Sequence, residues 1–248
     1  MKLSHYGESA RRDHWSPTRR VPVLALVGSG EYLPAIAEVD RQLLALFDSP
    51  PKVVCLPTAA GREGDAMIDS WMRRGVEHFN ELGAESVGVR VWDRATADDP
   101  DLAAEIATAD FVYLSGGKPA YLHDALDGSL AWEAILTVVA RGGLLAGCSA
   151  GAMVQGEVFA GMPRGHRGFG LWPAVTVVPH FDEIPSAAVS AMRLLVGKHH
   201  TLVGVNANTA LVNLGDTYRV IGDQVTVWTS TAKTEFGAGE IPRSALDG

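Results

Sequence analysis

Cysteine is scarce in this chain. Two thiols, Cys55 and Cys148, in 248 residues cannot build a disulfide framework. Neither suits a Cys/His metal site, which needs clustered ligands, so no metal or other cofactor is expected. Cys55 lies in an apolar, strand-like run and reads as a buried thiol. Long apolar runs are also missing; none reaches the length of a membrane span. Positive charge is short: 21 Lys and Arg against 29 Asp and Glu give a formal net charge of −8. That balance argues against a general nucleic-acid binder and against an anionic membrane surface. Arg11, Arg12, Arg19 and Arg20 make the N-terminus basic, but no apolar core follows before Val21. The stretch does not read as a secretory signal, and the cytoplasm is the default location.

What the chain does have is apolar substance: 47% hydrophobic against 20% charged residues, the balance of a globular protein long enough for one large domain. Residues 1–20 read as a polar basic tail, and 21–248 as a single α/β domain. Val21–Val27 is a continuous apolar run, as expected for a strand buried on both faces. Further strands are expected at Lys52–Leu56, Val87–Val91, Asp110–Leu114, Gly143–Ala146 and Ala174–Val178. Helical stripes lie between them: Ile36, Val39, Leu43, Leu44 and Phe47, then Ile68, Trp71, Met72, Val76, Phe79 and Leu82. Helices are also expected over Leu102–Ala109, 119–126, 130–141 and Pro185–Gly197. The alternation predicts a mostly parallel sheet with helices on both faces, flavodoxin-like. Short strands at Thr201–Val205, Thr209–Val212, Tyr218–Ile221 and Val225–Thr229 predict a C-terminal hairpin extension. Gly156–Pro173 reads as a long loop. Gly28-Ser29-Gly30 follows the first strand, but Leu33 stands where a dinucleotide fingerprint needs its third glycine.

Gly147-Cys148-Ser149-Ala150-Gly151 carries the chemistry. It ends an apolar strand and opens a small-residue helix, so it reads as a nucleophile elbow. On such a turn the serine backbone is strained and its hydroxyl stands clear of the sheet, while the positions two before and two after must be small. Gly147 and Gly151 meet that demand. Serine needs a base to take its proton, usually histidine. His5 and His14 lie in the tail. His78 and His123 fall on helices, where a solvated or capping role is expected, and His199 and His200 follow a helix end. His166 lies in the glycine-rich loop. His180 follows the strand Ala174–Val178 and should emerge at the elbow's edge of the sheet. The backbone N–H of Ala150 and that of Gly117, in Leu114-Ser115-Gly116-Gly117-Lys118, are the candidate oxyanion donors.

These stretches together resemble the dipeptidase E and cyanophycinase family of serine peptidases: Tyr113–Gly117, Ala146–Ala152, and Gly170-Leu171-Trp172-Pro173 with Pro179-His180-Phe181. Order and spacing agree from about Val21 to Leu211. The resemblance implies a fold like the class I glutamine amidotransferases, with serine replacing cysteine. It implies Ser149 as nucleophile, His180 as base, and Gly117 and Ala150 as oxyanion donors. Two departures stand out. Cyanophycinase-like members carry a glutamate in a Gly-hydrophobic-Asp-Glu-x-Thr-Ala segment, which here reads Gly204-Val205-Asn206-Ala207-Asn208-Thr209-Ala210. The candidates for a third member are therefore Asn206, Asn208, Glu157 (placed early in the post-elbow helix), Asp182 and Glu183. The aspartyl dipeptidases hold a substrate carboxylate with an arginine soon after the histidine, yet Asp182–Met192 contains no Arg or Lys. Arg164, His166 and Arg167 form a candidate substrate loop instead.

The leading expectation is a serine hydrolase of peptide or peptide-like amide bonds, slow if the triad acid is lost. Its partner is a peptide or small peptide-like substrate, with no nucleic acid and no membrane; a homodimer is compatible with this reading. A non-catalytic relative that binds a ligand or partner is the first alternative. An amidase or acyltransferase using Cys148 is the second, and it is disfavoured because the elbow places one residue at its tip and the glycine spacing puts Ser149 there.

Overall fold

The computed structural model describes residues 22–159, 167–197 and 199–246. The tail 1–20, and with it His5 and His14, lies outside them. In chain order the elements are β1 (Val23–Val27), α1 (Ala37–Leu44), β2 (Lys52–Leu56), α2 (Asp65–Glu81), β3 (Glu85–Gly88), α3 (Arg94–Ala97), α4 (Pro100–Ala107), β4 (Phe111–Leu114), α5 (Pro119–Leu126), α6 (Leu130–Ala140), β5 (Leu144–Cys148), α7 (Ala150–Met153), β6 (Val175–Val178), α8 (Ser186–Val196), β7 (Thr201–Val205), β8 (Ala210–Asn213), β9 (Thr217–Trp228) and β10 (Lys233–Pro242). Among the described residues no helix is long and apolar enough to cross a membrane.

One ten-stranded sheet runs β3-β2-β4-β5-β1-β8-β9-β7-β6, with β10 paired to β9. Its first five strands are parallel, as the strand–helix alternation requires. Successive side chains of a strand point to opposite faces, and here both faces are covered. Leu24, Leu26, Val54, Leu56, Val112, Leu114 and Leu145 face one layer, packed with Ile106, Leu122, Trp132, Ile135 and Val138 from α4, α5 and α6. Ala25, Val27, Val53, Cys55, Phe111, Tyr113, Ala146 and Cys148 face the other, packed with Val39 and Leu43 from α1 and Phe79 from α2. That double burial explains why the strands read as continuous apolar runs rather than alternating ones.

The structure differs from the sequence reading in several places. β3 spans Glu85–Gly88, not Val87–Val91, because only Glu85–Gly88 is in register with β2; Val89 and Val91 are buried beyond the strand end. The two strands expected at Tyr218–Ile221 and Val225–Thr229 are one strand, β9, which pairs with β8 through its first half and β7 through its second. Gly222, at φ +106°, lets β9 pass where a side chain would meet Asn208 O at 2.4 Å. β10 was not expected; it is largely exposed and interrupted by glycines, so it carries no apolar periodicity. The post-elbow helix stops at Met153, which leaves Glu157 beyond it. His78, expected at a solvated or capping position, is buried, with Nε2 2.7 Å from Asp40 Oδ2. Burial pushes the Asp40 carboxyl up, against the pull of His78.

The elbow depends on close backbone packing. A Cβ on Gly147 would lie 2.1 Å from Gly151 O, and one on Gly151 would lie 2.4 Å from Leu114 O. Gly147→Ala should therefore destabilise the fold by about 1–3 kcal/mol, the usual range for overpacking. Urea unfolding checks this; an unchanged midpoint would show that the turn relaxes freely.

Candidate active site

The parallel strands β1, β4 and β5 end on the same edge of the sheet, where open α/β sheets place their ligands, and the turn after β6, a strand parallel to β7, meets that edge. Ser149 follows β5 at φ 50°, ψ −107° and serves as the N-cap residue of α7. Its N–H donates to Val27 O at 3.0 Å, which ties the tip of the elbow to β1. His180 follows β6 in the left-handed region, φ 51°, ψ 36°. A short 3-10 turn, Phe181–Glu183, comes next. The Phe181 ring lies against Gly204 of β7, where a Cβ would sit 2.2 Å from it. The missing side chain at 204 is thus what seats this turn.

The two turns meet. His180 Nε2 lies 3.2 Å from Ser149 Oγ, and His180 Nδ1 lies 3.2 Å from Glu183 Oε2. The His180 and Glu183 side chains are 40% and 59% exposed, so water screens the pair more than it would a buried one. Neither Gly117 N–H nor Ala150 N–H donates a hydrogen bond to another described residue. Gly117 has φ +141°, and a Cβ there would meet Ala59 O at 2.5 Å.

The other candidates are engaged elsewhere. Asp182 Oδ1 accepts from Ala207 N at 2.7 Å, bridging the histidine turn to the 206–208 segment. Asn206 Nδ2 donates to Asp223 Oδ2 at 2.8 Å. Asn208 adopts φ 51° and lays its amide against Gly30. Glu157 lies at the wrong end of β6: its N–H donates to Val175 O, its Oε2 accepts from Ala174 N, and Oε1 is 3.7 Å from His200 Nε2. Arg167 pairs through its backbone with Val158, beside Glu157, and so lies toward the start of β6 rather than with His180. Arg164 and His166 lie outside the described residues. His123, expected to be solvated or capping, is mostly buried and stacks on Phe169 at 4.7 Å.

Cys148 points away from the tip. It is fully buried in the α1/α2 layer, and its Sγ donates to Glu31 Oε2 at 3.0 Å. Burial and the neighbouring Glu31 carboxylate push its thiol well above the usual range. Glu31 is a residue that sequence reasoning missed. It follows the turn after β1, and its Oε1 accepts from Gly116 N at 2.9 Å, beside the candidate oxyanion donor. Its one available signal was position: it lies just past the end of a strand adjacent to β5. Gly28, in the same turn, is small for a different reason than phosphate binding, since a Cβ there would meet Asn206 O at 2.0 Å.

A family model of peptidase family S51 matches residues 24–221. The chain belongs to peptidase family S51. It is 27% identical over 200 residues to the cyanophycinases of Synechococcus elongatus and Thermosynechococcus vestitus, covering 73% of this chain; it spans 61% of the length of those relatives. A crystal structure of a peptidase from an acI-B1 Actinobacterium superposes with a TM-score of 0.80 at 36% identity, covering 90% of this chain and 97% of that one. A putative peptidase E protein from Listeria monocytogenes EGD-e shares the fold, with a TM-score of 0.57 at 17% identity over 80% of this chain and 97% of that one. This S51 chain thus has the expected sheet with helices on both faces and a C-terminal hairpin.

The thiols give a direct check. Burial pushes Cys55 up to about 12, well above pH 8, so little of it is thiolate, the form that reacts. Neither Cys55 nor Cys148 should be alkylated by iodoacetamide in the folded protein, and both should react after unfolding. Rapid native alkylation of Cys148, read by mass spectrometry, would reopen its reading as nucleophile.

Proposed function

We propose that this chain is a serine hydrolase that cleaves peptide or peptide-like amide bonds through a Ser149 acyl-enzyme. The observation that carries the reading is the continuous relay from Ser149 Oγ through the two nitrogens of His180 to Glu183, each step 3.2 Å long. That is the separation expected of a nucleophile and base awaiting substrate. As Oγ attacks the carbonyl carbon, Nε2 takes the serine proton. Gly117 N–H and Ala150 N–H receive the oxyanion. His180 then returns the proton to the leaving amine, and water repeats the cycle on the acyl-enzyme. Glu183 accepts from Nδ1–H and so keeps Nε2 free as the base. It stands in for the acid that Ala207 does not supply.

A fluorophosphonate probe tests the nucleophile. The adduct should map to Ser149, and Ser149→Ala should lose about 10⁴-fold or more in kcat. Because Glu183 is exposed, Glu183→Gln should cost less than a buried triad acid does, roughly 10- to 100-fold in kcat/KM. Asp182 holds the 206–208 segment beside the histidine turn, so Ala207→Glu in the Glu183→Gln background should restore part of that loss. Full activity in Glu183→Gln would remove Glu183 from the relay.

The substrate is not an obligate aspartyl dipeptide. No cation follows His180 through Met192, and Arg167 lies toward the other end of β6. A buried, unpaired substrate carboxylate would be too costly for an acid-specific site. Rates on short peptides with Asp, Leu, Ala or Arg before the scissile bond should show no strong preference for Asp; a strong one would contradict this.

A further inference from the structure

Glu31 occupies an unusual place for a carboxylate. Its Oε1 lies 2.2 Å from the position a Gly116 Cβ would take, and that position lies 3.3 Å from Ser149 Cβ. Oε1 is therefore no more than 5.5 Å from Ser149 Cβ, the sum of those two distances. The side chain is only partly buried. Among the described residues its carboxylate accepts hydrogen bonds from two neutral donors, Gly116 N–H and Cys148 S–H. None of the ion pairs among the described residues includes it.

Such a charge works against the chemistry of the relay. The attacked carbonyl develops a negative oxygen between Ser149 and the Gly116-Gly117 turn, and a fixed carboxylate a few ångström away opposes it. A substrate that brings its own cation removes the opposition and gains a charge-assisted hydrogen bond. We propose that Glu31 is a specificity-determining residue that binds an ammonium group of the substrate, beside the carbonyl that Ser149 attacks. Reach favours the α-ammonium of an amino-terminal residue, whose nitrogen stands about 2.5 Å from its own carbonyl carbon by ordinary bond lengths. A lysine side-chain ammonium is the alternative source of the same chemistry. The proposal rests on the serine hydrolase reading for its catalytic consequence, but not for the binding itself.

The test therefore has two arms. In the first, kcat/KM is compared on leucine p-nitroanilide, its N-acetyl form, and N-acetyl-lysine p-nitroanilide. The free-amino leucine compound should exceed its N-acetyl form by roughly 10- to 100-fold. Glu31→Gln, which can still accept from Gly116 N–H, should lose most of that ratio; a variant that has merely loosened the turn would slow both substrates and keep it. Recovery of the rate by N-acetyl-lysine would assign the ammonium to a side chain. In the second arm, calorimetry measures leucinamide and N-acetylleucinamide on Ser149→Ala, where no turnover is needed. Leucinamide should bind measurably tighter, and Glu31→Gln added to Ser149→Ala should abolish the difference. Equal binding of the two amides overturns the proposal. Selective binding without any turnover or probe labelling in the unmutated protein would instead overturn the hydrolase reading and leave Glu31 in its role.

Discussion

Ser149 is held at a backbone conformation that an isolated chain would rarely visit, and most of the local architecture exists to hold it there. A non-glycine residue at φ 50° costs about 1–3 kcal/mol. The cost is met by contacts that leave no alternative. Gly147 and Gly151 close on each other, Gly151 seats on Leu114, and the Ser149 N–H is bonded to β1. The strands on either side of β5 thus clamp the turn that its end makes. A larger residue at either glycine would force the turn open and move the serine hydroxyl.

The same device recurs around the site. Tyr32 after β1, His180 after β6 and Asn208 after β7 also adopt positive φ. Strain of this kind gathers where a fold must aim side chains rather than simply pack them. His180 is aimed by its left-handed backbone, with the Phe181 ring wedged against Gly204 and Asp182 bonded to the Ala207 N–H behind it. Glu183 then falls one turn beyond, close enough to reach the imidazole from the same short segment. This departs from an arrangement in which the acid comes from another strand end. It places the proposed base and acid, His180 and Glu183, on one loop, both open to solvent.

The residues differ in how well they could be read without coordinates. The parallel half of the sheet was legible because doubly buried strands are long apolar runs. The elbow was legible because its glycines are demanded by backbone contacts only 2.1–2.4 Å from where their side chains would start. Glu183 could be named only as one of several acids, because a residue three after the histidine reaches it only if a helical turn intervenes, and Phe181–Glu183 supplies that turn through a packing partner, Gly204, distant in sequence. Glu31 offered no signal beyond its position after β1 for the same reason: its partners are 85 and 117 residues away. β10 left no trace because an exposed edge hairpin obeys no apolar period. His78 was misplaced because its partner Asp40 lies on another helix.

One turn after β5 and one after β6 are proposed to form a single acyl-transfer site. A crystal structure of the protein after reaction with a fluorophosphonate examines it most directly. Phosphorus should be bonded to Ser149 Oγ, with a phosphonyl oxygen within about 2.7–3.1 Å of both Gly117 N and Ala150 N. His180 should still bridge the adduct to Glu183. An adduct whose oxygen faces neither amide, or a His180 turned away from Glu183 toward another carboxylate, would contradict it.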